Sequence, residues 1–95
     1  MLNITDIRVK FVRKESNLKA LVSITIADCF VVHDLKVLQG DSGLFVGMPS
    51  KRFIDQTGKD THRDIAHALN TPTREYIKET VLAAYQEALK NNTEE

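Results

Sequence analysis

The 95-residue chain is short of most of what announces chemistry: one cysteine, three histidines, two prolines, four glycines, and no excess of either charge, with 13 Lys/Arg against 13 Asp/Glu. A lone Cys29 cannot close an intramolecular disulfide. No apolar run reaches the roughly 18 residues of a membrane span and no signal-peptide pattern is present, so a reducing cytoplasm is the expected compartment and no membrane partner is expected. Zero net charge excludes the bulk basicity that marks many nucleic-acid binders. The glycines stand as Gly40-x-x-Gly43 and Gly43-x-x-x-Gly47. Neither is a dinucleotide fingerprint or a P-loop, and no nucleotide cofactor is expected.

The histidines are equally unhelpful to catalysis. His62 and His67 are five apart and His33 sits within a strand pattern, spacings that fit no common zinc site. His33 and Asp34, as strand neighbours, point to opposite faces and cannot form half of a triad, and His33 reads as a hydrogen-bonded structural residue. Asp64 and His67, close across a bend, are read in the same way. Cys29 lies between Asp28 and Phe30 with no cation to lower its thiol pKa, which makes it a small turn or core residue. Without a nucleophile, base and orienting group, an enzyme is not expected, and neither is a metal or any other cofactor.

What is present is a foldable domain. With 42% apolar and 27% charged residues the composition is that of a globular protein. The expected organisation is a single domain over residues 1–90 with a frayed tail at 91–95. Period-two alternation predicts a β-meander in the first half. Strand one covers about residues 3–13, with Ile7, Val9 and Phe11 on one face, and the polar run Arg13 to Asn17 closes a hairpin. Strand two places Leu18, Ala20, Val22, Ile24 and Ile26 on one face. Strand three is Phe30–Leu38, with Val31, Leu35 and Val37 assigned to one side and Phe30, Val32 and Leu38 to the other. Gly40-Asp41-Ser42-Gly43 is a turn, and strand four, Leu44–Met48, stops at Pro49, which has no N–H for a ladder.

From Ser50 to Arg63 the sequence reads as a polar loop, and Arg63 to Leu69 as an ambiguous segment that includes a short extended stretch. Thr71-Pro72 then predicts a helix start with Thr71 as cap. Ile77, Val81, Ala84, Tyr85 and Ala88 form one stripe on a helix over about 72–90. The fold class is therefore α+β: a four-stranded antiparallel meander followed by a C-terminal helix packed on one face. One helix covers one face only, and the apolar side chains assigned to the other face predict a homodimer; the alternative is a monomer with an irregular loop folded over them.

Zero net charge hides a modest asymmetry, +3 over residues 1–54 and −3 over residues 55–95. Between Ser50 and Arg63 stand Lys51, Arg52, Lys59 and Arg63 against Asp55 and Asp60. Such a segment suits phosphate, with Ser50 adding a hydroxyl or backbone amide, and a dimer presents it twice. Composition alone equally describes a solvated surface. Arg8, Lys10 and Lys19 read first as charges that blunt a sheet edge.

Three blocks decide more than any short motif: Phe30-Val31-Val32-His33-Asp34-Leu35-Lys36-Val37-Leu38, Gly43-Leu44-Phe45-Val46-Gly47-Met48-Pro49-Ser50-Lys51-Arg52, and Arg63-Asp64-Ile65-Ala66-His67. Together with Thr5-Asp6-Ile7-Arg8 and Thr73-Arg74 they resemble the SpoVG family over nearly the whole chain. The resemblance implies an antiparallel sheet with a C-terminal helix in a homodimer. It also implies a bacterial regulator of septation, sporulation or gene expression that binds DNA and, in some members, RNA. The family's basic residues after Met-Pro-Ser fall on Lys51 and Arg52, with Arg63 beyond the loop, and its C-terminal helix region is linked to sequence preference. Two departures stand out: the loop Phe53–His62 looks longer than the family pattern, and Ala68 stands where a proline is common. The other reading of the same chain is a protein-interaction module in cell-division control, its charge supplied by Glu75, Glu79 and Glu87, with no direct nucleic-acid contact.

Overall fold

Alternation sets the architecture of the first half. The computed structural model describes residues 2–12 and 17–91. It contains strands β1 (Ile4–Phe11), β2 (Leu18–Ile26), β3 (Phe30–Gly40), β4 (Gly43–Gly47), β5 (Ser50–Ile54) and β6 (Asp60–Asp64), followed by helix α1 (Thr71–Asn91). β1 to β4 form one antiparallel sheet in sequence order, the expected meander. β5 and β6 form a separate two-stranded sheet. Of the expected β1–β2 hairpin only Asn17 lies among the described residues, and of the expected tail only Asn91.

The core lies on one side of the four-stranded sheet. Ala20, Val22 and Ile24 of β2 meet Leu35 and Val37 of β3, and α1 closes them off with Ile77, Val81 and Tyr85. The helix touches both edge strands, β1 and β4. Tyr85 packs on Phe11 with ring centroids 5.8 Å apart. At the other end of the helix Tyr76 accepts a hydrogen bond from the Ile4 N–H at 3.0 Å. The stripe expected from helical spacing is thus the buried one, and β1 is fastened at both of its ends.

Two local expectations need correction. Val32 lies on the same side of β3 as Leu35 and Val37, not opposite them. Val22 pairs with Leu35 and Ile24 with Val32, so three steps of β3 oppose two of β2. That extra residue is a bulge, and Asp34 within it has φ of 67°, a left-handed conformation that Asp tolerates better than most residues. Simple alternation cannot carry a face assignment across a bulge, because one inserted residue inverts the parity of everything beyond it. Within the same bulge His33 Nδ1 lies 2.9 Å from the hydroxyl of Ser23, the β2 residue opposite.

The second correction concerns the helix cap. Asn70, not Thr71, fills it: the Thr73 N–H donates to Asn70 Oδ1 at 2.9 Å and the Arg74 N–H to the Asn70 carbonyl at 3.1 Å. Asn caps at least as well as Thr, and the hydrogen bond to the third helical residue is the one a cap side chain makes. Among the described residues no helix is long and apolar enough to cross a membrane.

Leu35 is among the largest fully buried side chains and lies in the core on the side of the sheet that α1 covers. Leu35→Ala is expected to lower stability by about 2–5 kcal/mol through lost burial and the cavity left behind, measured by urea denaturation. A change within experimental error would show that α1 does not seal this face.

Candidate nucleic-acid interface

Met48-Pro49 ends the fourth strand, and the chain then departs from the main sheet as a hairpin. The stretch from Ser50 to Arg63, read from sequence as a loop, is β5, a tight turn and most of β6. Ser50 pairs with Asp64, Lys51 with Arg63, Arg52 with His62, Phe53 with Thr61 and Ile54 with Asp60, without a register shift. The Ile65 N–H donates to the Pro49 carbonyl at 2.8 Å and closes the base. Every residue from Lys51 to Asp60 is exposed, so the hairpin projects from the body.

Its turn is built by Asp55. One carboxylate oxygen, Oδ1, accepts from the Thr57 N–H (2.9 Å), the Thr57 hydroxyl (2.6 Å) and the Lys59 N–H (2.9 Å). The Gly58 N–H returns to the Asp55 carbonyl at 3.0 Å and the Asp55 N–H donates to the Lys59 carbonyl at 3.1 Å. Gly58 has φ of 84°, the left-handed position of a three-residue hairpin loop, where glycine costs least. The polar composition that obscured periodicity here is the chemistry of the turn itself.

Regular pairing gives the hairpin two unlike faces, because cross-strand partners share a side and neighbours alternate. Lys51, Phe53, Thr61 and Arg63 share one. The other carries Ser50, Arg52, Ile54, Asp60, His62 and Asp64. On that second face Arg52 forms a bidentate pair with Asp60, Nε to Oδ1 at 3.0 Å and Nη2 to Oδ2 at 2.7 Å. Both side chains are more than half exposed, and a pair of this kind stabilises by about 0.2–1 kcal/mol. Ser50 is engaged as well, accepting a long hydrogen bond from Lys36 Nζ at 3.5 Å.

The first face is arranged differently. Lys51 and Arg63 stand directly opposite each other, a like-charge pair that costs rather than stabilises. Among the described residues neither has a carboxylate within salt-bridge distance. Both lie over the Phe53 ring instead, with Lys51 Nζ 5.7 Å and the Arg63 guanidinium carbon 5.4 Å from its centroid. Exposed cation–π contacts of this type contribute about 0.5–1 kcal/mol each.

Of the residues singled out by sequence, then, Lys51 and Arg63 come together. Arg52 and Ser50 are turned to the opposite face, and Lys59 stands at the tip opposite Asp55. Phe53 has no signal of its own in a segment that reads as a loop, where a lone aromatic has no neighbours. The available clue is Asp55-Gln56-Thr57-Gly58, a turn sequence with Asp first and Gly fourth, flanked by two runs able to pair.

The SpoVG family model matches residues 2–87. The chain belongs to the SpoVG family. A family relative from Lachnospira eligens, named "Putative septation protein SpoVG", is 51% identical over 87 residues, covering 92% of this chain and 94% of its own. A relative of the same name from Anaeromyxobacter is 53% identical over 89 residues, covering 94% and 87%. Another from Phytoplasma australiense is 42% identical over 94 residues, covering 99% and 94%. The match spans the meander, the hairpin and most of α1, so the hairpin lies within the family domain.

The Asp55 carboxyl is held below its ordinary pKa of 3.8, chiefly by the Thr57 hydroxyl and then by the Lys59 and Thr57 amides. A depressed folded-state pKa means that the turn's stabilisation is complete above the ordinary value and is lost as pH falls through the folded one. Acid titration followed by NMR is expected to move the Thr57 and Lys59 amide resonances together with a midpoint below 3.8. A midpoint at or above that value would show that the carboxylate does not organise the turn.

Proposed function

We propose that this chain is a homodimeric regulator that binds nucleic acid through the Lys51/Arg63 face of its projecting hairpin and acts in septation, sporulation or gene expression. The observation that carries the reading is the unneutralised cation pair. Two positive side chains placed directly opposite each other on an exposed hairpin lower its stability, and an anionic ligand turns that cost into binding energy. Phosphate is suited to it: Arg63 offers a planar donor fork and Lys51 a compact charge. The names of the relatives support the septation part of the proposal.

The hairpin projects clear of the core, so one copy reaches a polymer without steric interference from the sheet. Two copies double the phosphates neutralised and the counterions released, and binding weakens as salt rises. Lys59, at the tip, extends the basic track. Arg52 contributes less, because its guanidinium is already paired with Asp60, and its main role is to brace the hairpin.

This division of labour makes a specific forecast for anisotropy titrations against oligonucleotides. Lys51→Ala with Arg63→Ala is expected to weaken binding across all sequences and to reduce the slope of log affinity against log salt by about 0.7–0.9 for each phosphate left unneutralised. Arg52→Ala is expected to retain most of both. Equal losses from Arg52→Ala and from the double variant would contradict the two-faced hairpin. Lack of binding to DNA and RNA at low salt would favour the protein-interaction reading.

Dimerisation is supported by apolar surface that α1 does not reach. Val31 and Phe45 are exposed and Leu38 is half-buried on the outer side of the sheet, while Phe30 and Leu69 are exposed at its end. Leu38 and Phe45 are cross-strand partners there, an apolar surface of the kind that a second chain can cover. Light scattering is expected to give the mass of two chains at tens of micromolar, and Phe45→Glu to shift it toward one. A monodisperse monomer for the unaltered chain would remove the dimer from the proposal.

A further inference from the structure

We infer that the ligand of the hairpin is single-stranded nucleic acid, with an unpaired base stacked on Phe53 and the flanking phosphates taken by Lys51 and Arg63. The inference rests on the nucleic-acid reading above and adds to it the class of polymer.

Phe53 is the reason. It is 39% exposed, its chain neighbours Arg52 and Ile54 are exposed, and it is absent from the apolar core. Folding gains little from a phenylalanine there. Its cross-strand partner is Thr61, a small side chain. Its other close companions are the cations Lys51 and Arg63. An aromatic platform edged by basic groups is the arrangement that binds unpaired bases, since every base has a π-face and every nucleotide a phosphate.

Stacking with a base is stronger than an exposed cation–π contact, so a base displaces the cations from the ring and releases them toward the phosphates on either side. In a duplex the base faces are occupied by neighbouring bases, and Phe53 would contribute only apolar contact. The same face thus distinguishes strand states while remaining tolerant of sequence. The acidic residues Asp60 and Asp64 do not interfere, because register places them on the opposite face.

The test uses the full chain with labelled oligothymidylate, oligouridylate, an abasic strand of the same length and a mixed-sequence duplex. Phe53→Ala is expected to weaken binding to both base-bearing single strands about 5- to 150-fold with the salt slope unchanged, and to alter abasic-strand and duplex binding by less than about twofold. Phe53→Leu, which keeps apolar bulk, should behave like the alanine variant. Because the chain has no tryptophan, Phe53→Trp places a single indole at the site. Its emission is expected to be quenched by oligothymidylate and left unchanged by the abasic strand. Equal affinity of unaltered and Phe53→Ala protein for base-bearing strands, with binding still weakened in the Lys51/Arg63 double variant, would overturn base stacking and leave the phosphate reading intact. Absence of binding to any of the four ligands would overturn both.

Discussion

One helix has to seal one face of a four-stranded sheet, and the remaining architecture follows from that limit. Ile77, Val81 and Tyr85 supply the apolar stripe of α1, and Ala20, Val22, Leu35 and Val37 supply the surface beneath it. The stripe spans the sheet by touching both edge strands, with Tyr76 and Tyr85 anchoring β1 at its two ends. A chain of this size has no second helix among its described residues. The outer side of the sheet is left with its own apolar residues, and the hairpin β5–β6 is left outside the core altogether. Burial therefore concentrates in one layer, while the parts offered for interaction are those that the helix cannot reach.

Pro49 marks the transition between these two regimes. The main sheet ends before it, its carbonyl closes the base of the hairpin, and everything from Lys51 to Asp60 is solvent-exposed. A two-stranded hairpin in water is only marginally stable by itself. Here it is supported by the Asp55 turn at the tip, the Arg52–Asp60 pair along one face and the Pro49–Ile65 hydrogen bond at the base. That bracing falls outside the Lys51, Phe53 and Arg63 face. The result is a face whose side chains contact one another and are not used to brace the hairpin.

Much of this is legible in the sequence, for reasons that differ between elements. The meander follows from period-two alternation and the helix from a stripe at i, i+4 and i+8, both patterns set by burial against one core. Face assignment in β3 fails at Asp34, because a bulge inverts parity and its left-handed residue leaves no compositional trace beyond an Asp. The helix cap falls one residue away from its expected place, since Asn70 and Thr71 are both competent caps and only geometry selects between them. The hairpin is illegible for a physical reason too: its residues face water on both sides, so no apolar alternation reports it. The Asp-x-Thr-Gly turn is the remaining clue. Charge alone singles out Lys51, Arg52, Lys59 and Arg63 together, and the division of Lys51 and Arg63 from Arg52, with Phe53 on the face of the first two, depends on pairing register, which composition does not contain.

The central claim of the proposed function is that nucleic acid meets the chain at the hairpin. The most direct measurement is NMR chemical-shift mapping of the full-length protein on addition of a short single-stranded oligonucleotide. The geometry predicts that the largest changes fall on Lys51, Phe53, Thr61 and Arg63, with smaller ones on Arg52 and Asp60 across the hairpin and little along Ile77, Val81 and Tyr85. Changes centred on α1, or none in the hairpin at concentrations where binding is otherwise evident, would contradict it.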